Sequence, residues 1–279
     1  MNLWCKIKIG NQDEIDSNVI TPNLQFLELD TVPVFTNNIT SIVGIDGAFF
    51  NGSNLGKSVV NLKFAVFFES FNDFMLAKHD IYSTFMTKDE IRIRTNQAPN
   101  KVYYCRSVGF DIAIKKVGQN GAVFTIPLEN MYGVCYSICN SDELDNIKDN
   151  DDWSYGMNIP TGTKLQYHFS NTNSFDIYNP SDKVINPYLQ NDKLSIKLSF
   201  NGGNFTLTNT TNGSNWSYNK GSSGHDTLLL NGVESSLNGN PCTKDTNYGH
   251  IILEKGNNHF TANGTSNDIT FSFPFVYIA

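Results

Sequence analysis

The sequence predicts a mainly β protein in two domains: an N-terminal β-rich domain carrying one packed helix, then a C-terminal antiparallel β-sandwich. Three observations carry this expectation. Apolar residues alternate at period two along most of the chain, and one segment alone changes to helical spacing. Charged residues make up only 17% of the 279 residues, and Asn, Thr, Ser and Gly, the residues of turns and wet sheet faces, stand in their place. Aromatic residues at 13% supply the burial capacity that an apolar share of 39% leaves short, so the chain can fill a core. A helical bundle is excluded by the same composition.

In chain order, Leu3, Cys5, Ile7 and Ile9 fall on one side of a strand, with Trp4, Lys6 and Lys8 on the other. Val60, Leu62, Phe64, Val66 and Phe68 form a longer example. Between Ser70 and Thr87 the period changes, with Phe71, Phe74, Met75, Lys78, Ile81, Tyr82 and Phe85 recurring at three- and four-residue steps and Ser70 available as N-cap. Phe71, Phe74, Ile81 and Phe85 are expected to face the sheet, and Lys78 to extend its head into solvent. Strand patterns resume at residues 91–94, 102–108 and 110–117, and Gly118-Gln119-Asn120-Gly121 turns the chain into a strand over 122–128.

Residues 141–152 read SDELDNIKDNDD, an acidic stretch with almost nothing to bury. It predicts a linker over 141–153, between an N-terminal domain of residues 1–140 and a C-terminal domain of residues 154–279. Beyond it, short strands separated by turn residues are expected at 165–169, 194–200, 205–208, 227–230, 251–253, 259–262 and 269–278, the pattern of a β-sandwich.

Lys and Arg number 20 against 27 Asp and Glu, a net charge of −7 with no basic stripe, which excludes a protein that grips nucleic acid. The first residues lack an export signal and no stretch reaches the length of a membrane span, so cytoplasmic assembly without a membrane partner is expected. Five scattered cysteines, Cys5, Cys105, Cys135, Cys139 and Cys242, read as reduced thiols, mostly buried.

No motif carries chemistry. Residues 51–58, NGSNLGKS, end like a phosphate-binding loop, but Asn51 stands where the first glycine belongs and the segment leads into a strand instead of a helix. The five histidines have no ligand spacing, and Cys135 and Cys139 lack a second pair, so no metal or cofactor is expected. Ser222, His225 and Asp226 lie too close in sequence to make a triad. The acidic pairs Glu14/Asp16 and Asp142/Glu143 lie in polar, turn-like stretches. The Asn-x-Ser/Thr sequons follow from composition. Trp153 and Trp216, set among Asn, Ser and Tyr, are the candidates for a sugar-stacking platform, weighed against a role as loop anchors.

The order of features does resemble a family. Gly44-Ile45-Asp46-Gly47, a long strand, the helix, Ile91-Arg92-Ile93-Arg94, Pro99-Asn100-Lys101-Val102-Tyr103 and Tyr136-Ser137 follow one another as in the N-terminal half of the siphophage distal tail proteins, the sipho-tail family. Asn100 replaces a glycine there and is expected to take the left-handed conformation of the turn. In the second half, Asn179-Pro180, Asn186-Pro187, the turn Thr208 to Gly213, the strand Leu228 to Gly232, Leu253-Glu254-Lys255-Gly256-Asn257-Asn258 and the closing Ile269 to Phe275 resemble that family's galectin-like domain.

The resemblance implies a structural protein of the virion's tail tip, not an enzyme. Six copies would form a ring through the N-terminal belt domain. Its partners would be the tail tube protein, the tape-measure C-terminus, and a tail-associated lysin or fibre protein, with DNA passing the lumen unbound. The rival readings are a carbohydrate-binding adhesin module and a tail-borne hydrolase.

Overall fold

The computed structural model describes residues 3–114, 118–146, 156–160, 165–190 and 193–278. The chain falls into two compact units, residues 1–136 with 278–279, and residues 137–277.

In the first unit the strands are β1 (Cys5–Ile9), β2 (Ile15–Asp16), β3 (Leu24–Thr31), β4 (Phe35–Thr40), β5 (Phe49–Leu55), β6 (Ser58–Phe67), β7 (Ile91–Thr95), β8 (Lys101–Ser107) and β9 (Gly121–Asn130), with helix α1 (Phe71–Phe85) between β6 and β7. Seven of them form an antiparallel sheet in the order β2-β1-β7-β8-β9-β6-β3. The alternation read from the sequence is the burial pattern: Val60, Leu62, Phe64 and Val66 of β6 are buried between Leu24 and Phe26 of β3 and Phe124, Ile126 and Leu128 of β9.

Helix α1 starts on a complete capping box, Asp73 N–H donating to Ser70 Oγ at 3.2 Å and Ser70 N–H to Asp73 Oδ2 at 3.0 Å. It buries Phe74, Ala77, Ile81 and Phe85. Phe71 departs from expectation and stands 66% exposed. Phe68 has taken the place at the sheet, its ring 5.0 Å from that of Phe74, so Phe71 is left on the outer flank. Lys78 departs too: its ammonium donates to the Ile112 carbonyl at 2.8 Å and meets Asp111 at 3.3 Å. The strand expected over 110–117 is absent from its described part, residues 110–114, whose carbonyls, lacking ladder partners, take side-chain donors from α1 instead. Asn100 is buried and not left-handed; it follows Pro99 in a turn closed by Lys101 N–H to Ala98 O at 3.1 Å.

The chain enters the second unit within β10 (Cys135–Asn140). Ser141 belongs to that unit's core, fully buried, its hydroxyl donating to Phe271 O at 2.9 Å and accepting from Phe273 N at 3.2 Å. Asp142 accepts from Ser272 at 2.6 Å. The linker reading therefore fails for residues 141–146, which form a 3₁₀ turn; 147–153 lie outside the described residues. A serine and a carboxylate can join a core edge when backbone groups there need partners, which composition alone does not reveal.

The remaining strands are β11 (His168–Ser170), β12 (Ser174–Asn179), β13 (Ser195–Asn209), β14 (Asn215–Tyr218), β15 (Ser222–Ser223), β16 (Leu228–Asn231), β17 (Glu234–Leu237), β18 (Asn240–Pro241), β19 (Gly256–Ser272) and β20 (Pro274–Tyr277). Pairs of segments that read as separate strands are halves of single long ones: 194–200 and 205–208 in β13, and 259–262 and 269–272 in β19. β13 and β19 pair along their length with register shifts between Ser199 and Thr206. The rings of Phe260 and Phe271, both on β19, lie 5.1 Å apart, whereas a straight strand would hold them roughly 36 Å apart at about 3.3 Å per residue. The hairpin thus bends back on itself and supplies both layers of a sandwich, with Phe200, Phe205, Trp216, Phe260, Phe271 and Phe273 buried inside.

Buried asparagines lock its turns. Asn258 accepts from Glu254 N at 2.8 Å and Asn209 Nδ2 at 2.9 Å, and donates to the carbonyls of Glu254 and Gly256 at 2.9 and 3.0 Å. Asn179 donates to Leu253 O at 3.3 Å and accepts from Ser181 N at 3.1 Å. These are positions of the family resemblance, and each side chain stands in for backbone partners the turn lacks.

Candidate assembly interface

Among the described residues, strands β4 and β5 pair only with each other, Phe35 opposite Leu55 and Ile39 opposite Phe50, and form a hairpin separate from the main sheet. At its tip Gly44 and Gly47 take φ of 86° and 90°, the left-handed region in which glycine is unstrained. Every residue of β4 is exposed. The hairpin and its tip carry Phe35, Ile39, Ile42, Val43, Ile45, Phe49 and Phe50, with Ile39 and Phe50 at 63% and 65% exposure. An isolated two-stranded hairpin is marginal in water, and exposed apolar side chains gathered on one such hairpin mark a contact site.

Its conformation is held by cross-strand bonds, Asn51 to Thr40 and Ser53 to Asn37, both 2.6 Å. At its base Gly56 N–H donates to Val34 O at 2.8 Å and Lys57 meets Glu129 at 2.7 Å. The lysine of the phosphate-loop lookalike is thus an ion-pair partner at the foot of a hairpin.

A second apolar patch lies on the same unit. Phe71, Met75 and Leu76 on the outer flank of α1 are exposed, as is Phe67 at the end of β6. The second unit differs: among its described residues the large apolar side chains left exposed are Tyr188, Val233 and Tyr248.

The other candidates resolve into structural roles. Glu14 accepts from Arg92 at 2.6 Å and from Arg94 through two nitrogens, while Arg94 also lies 5.5 Å over the Trp4 ring. Burial pushes the Glu14 carboxyl up, but hydrogen bonds and charge from Arg94 and then Arg92 outweigh it and hold it below the ordinary range. Asp16 caps a 3₁₀ turn, and Glu143 accepts from Asn140 N at 3.0 Å. Ser222 and Asp226 share a hydrogen bond of 3.2 Å, and Asp226 also accepts from Asn238. Cys5, Cys105, Cys135 and Cys242 are buried; desolvation, reinforced by Glu90, pushes the Cys105 thiol up to about 12, so it packs as a small apolar group.

Trp216 is a correction. It is fully buried and its indole donates to Ser235 Oγ at 3.0 Å, so it offers no ring to a sugar. On β14 it alternates inward beside Tyr218, and its polar neighbours on the strand point out. Trp153 lies outside the described residues. The hairpin was missed in the sequence, although Phe35, Ile39, Phe49 and Phe50 were a readable apolar signal flanking the Gly44–Gly47 turn.

Two family models match, a phage tail protein RIFT-related domain over residues 18–130 and a phage tail C-terminal domain over residues 155–273. Together the two models span most of the chain, whose halves are thus a sipho-tail domain and a phage tail C-terminal domain. The crystal structure of SPP1 Dit, described as a paradigm of hub adsorption apparatus in phages infecting Gram-positive bacteria, shares the fold. It aligns at a TM-score of 0.68 and 14% identity over 97% of this chain and 99% of that one. A chain of the phage p2 baseplate in its activated conformation with Sr aligns at 0.45 and 14% over 98% and 97%, and one from the Ca form at 0.47 and 13% over 99% and 98%, values too low to add to the case. No curated protein sequence matches. As a phage tail protein, the chain has its place in the virion.

Proposed function

We propose that six copies of this chain close a ring at the tip of a long non-contractile tail and act as its hub. The N-terminal unit builds the ring. The C-terminal sandwich, galectin-like in the family, is an outward docking domain. The ring joins the tail tube and the tape-measure C-terminus to a tail-associated lysin or fibre protein and so to the host-adhesion apparatus. Its work is structural.

The observation that carries this reading is the pair of unlike apolar patches on the N-terminal unit, the hairpin surface and the flank of α1. A closed ring of identical subunits uses two different patches per copy, one meeting the other on the next subunit, whereas a twofold dimer needs one self-complementary patch.

The charge also fits a DNA conduit. Residues 1–136 and 278–279 hold 12 Lys and Arg and 13 Asp and Glu, a net of −1, and residues 137–277 hold 8 and 14, a net of −6. The ring-forming unit is close to neutral, and six of them would carry −6 instead of the −42 that whole chains imply. A near-neutral lumen still leaves no dense cation array to trap passing DNA by counterion release.

Light scattering with negative-stain imaging tests the reading. The expected mass is six times 31.2 kDa, about 187 kDa, with ring-shaped particles. A protein that remains at 31.2 kDa at the highest attainable concentration overturns it.

A further inference from the structure

Two residues of one strand and a third far along the chain meet on the outer face of the C-terminal sandwich. Asp176 on β12 sits directly opposite His259 on β19, and its Oδ1 lies 2.7 Å from His259 Nδ1. Ser174, two residues before Asp176 on the same face of β12, places its hydroxyl 3.2 Å from His259 Nε2. A carboxylate only accepts, so Nδ1 carries the ring proton and Nε2 is left to accept from the serine. That is the connectivity of an acid–base–nucleophile relay: carboxylate on one imidazole nitrogen, hydroxyl on the other.

A cross-strand Asp–His pair by itself is ordinary surface pairing, and the same sheet offers a comparison. His168 shows the same connectivity, with Asp268 and Ser170 on Nε2 at 3.3 and 3.2 Å and Thr270 on Nδ1 at 2.9 Å, but the Thr270 hydroxyl does not line the groove that Ser174 lines.

Two further features surround Ser174. Ala262 N–H donates to Asn173 O at 3.0 Å, and the antiparallel alternation then turns the Ser174 and Asp176 amides away from β19, toward an edge that pairs with no other strand among the described residues. The nucleophile's own N–H is thereby available to an oxyanion beside it. Ser174 and Asp176 also line a groove of about 610 Å³, with Phe169 and Tyr178 supplying apolar wall and Gln166 and Asn257 hydrogen-bonding groups. A groove of this size and mixed lining fits a sugar-sized alcohol bearing a short acyl group.

We propose that Ser174, His259 and Asp176 form an ester-cleaving site whose substrate class is O-acylated carbohydrate. Ser174 Oγ attacks the ester carbonyl carbon as its proton passes to His259 Nε2, and Asp176 balances the imidazolium. The carbon–oxygen bond to the sugar breaks, the departing alcohol takes the proton from Nε2, and Ser174 is left acylated. Water then attacks the acyl carbon, giving a proton to Nε2 that returns to Ser174 Oγ as the carboxylic acid leaves. No metal or redox partner enters the balance. The site does not depend on ring formation.

The test uses the full chain with p-nitrophenyl acetate as substrate and a fluorophosphonate as covalent probe. Turnover of the wild-type protein is expected to exceed that of Ser174→Ala and of His259→Gln by about 100-fold or more, as loss of a nucleophile or general base entails. His168→Gln is expected to match wild type, and thermal unfolding of all variants to coincide. Mass spectrometry should place the phosphonyl adduct on Ser174 and lose it in His259→Gln. Turnover that survives Ser174→Ala, or wild-type protein carrying no adduct at Ser174, overturns the proposal.

Discussion

Gly133 packs directly on the carbonyl of Gly56, at the point where the exposed hairpin joins the sheet. A Cβ on Gly133 would stand 2.2 Å from the Gly56 oxygen, and its φ of +65° is itself in the left-handed region. The turn after β9 therefore wedges the base of the hairpin backbone against backbone. Gly133→Ala must strain one turn or shift the other, and should cost about 3 kcal/mol, combining the left-handed penalty with overpacking. Urea unfolding of the variant measures this. A cost below about 0.5 kcal/mol, the range of an indifferent surface change, would show that the two turns part freely.

The two phenylalanines of the first turn of α1 separate stability from assembly. Phe74 is 5% exposed and Phe71 66%. Phe74→Ala should lose about 3–5 kcal/mol as a large-to-small core change, whereas Phe71→Ala should fall within about 0.5 kcal/mol of wild type. Equal losses in chemical denaturation would mean that the helix is rotated from the orientation described.

Hairpin substitutions should reverse that pattern. Ile39 and Phe50 face one another across β4 and β5 and are both exposed. Replacing both with Asp should leave the melting temperature near that of wild type. It should also put charge into any apolar contact made there, and so drop the particle toward the single-chain mass of 31.2 kDa by light scattering. Retention of the large species would move the interface elsewhere.

Glu14 gives a pH dependence of known sign. Its folded value lies below the ordinary 4.5, so its contribution to stability is complete above that value and disappears as pH falls through the folded one. Glu14→Gln keeps the shape but leaves Arg92 and Arg94 without their charged acceptor, a loss of about 2 kcal/mol near neutral pH. The gap between wild type and variant in unfolding free energy should close on acidification. A gap that stays constant from neutral pH into strong acid would assign the loss to packing.

Asn258 predicts the value of a satisfied buried amide. It is fully buried with donor and acceptor atoms both engaged. Asn258→Ala should cost about 3 kcal/mol, since backbone groups at Glu254 and Gly256 lose their partner in a dry site. Backbone amide exchange around 254–258 should rise with it. Unchanged protection there would mean that water replaces the side chain without loss.

The sequence by itself determined the two-domain β architecture, the long helix with its Ser70 cap, the alternation of β6 and the family; the short helix Pro187–Gln190 carried no readable period. These rest on local rules: a period of two or 3.6, a capping pair three residues apart, turn residues at set positions. It also marked Asn179 and Asn258 as positions of note without disclosing that their amides hold turns together. What tertiary structure alone decided was every relationship between distant segments. Whether Phe68 or Phe71 covers the sheet is decided by the packing around Phe74, whose ring both touch, with Phe68 buried and Phe71 exposed. Trp216 went into the core, Ser141 joined the second unit, and four apparent strands became two bent ones because the Phe260 and Phe271 rings had to meet. The Ser174–His259–Asp176 arrangement depends on the register of β12 against β19, and a slip of one residue would send those side chains to the opposite face. Periodicity is carried by neighbours along the chain; register and burial are set by partners across it.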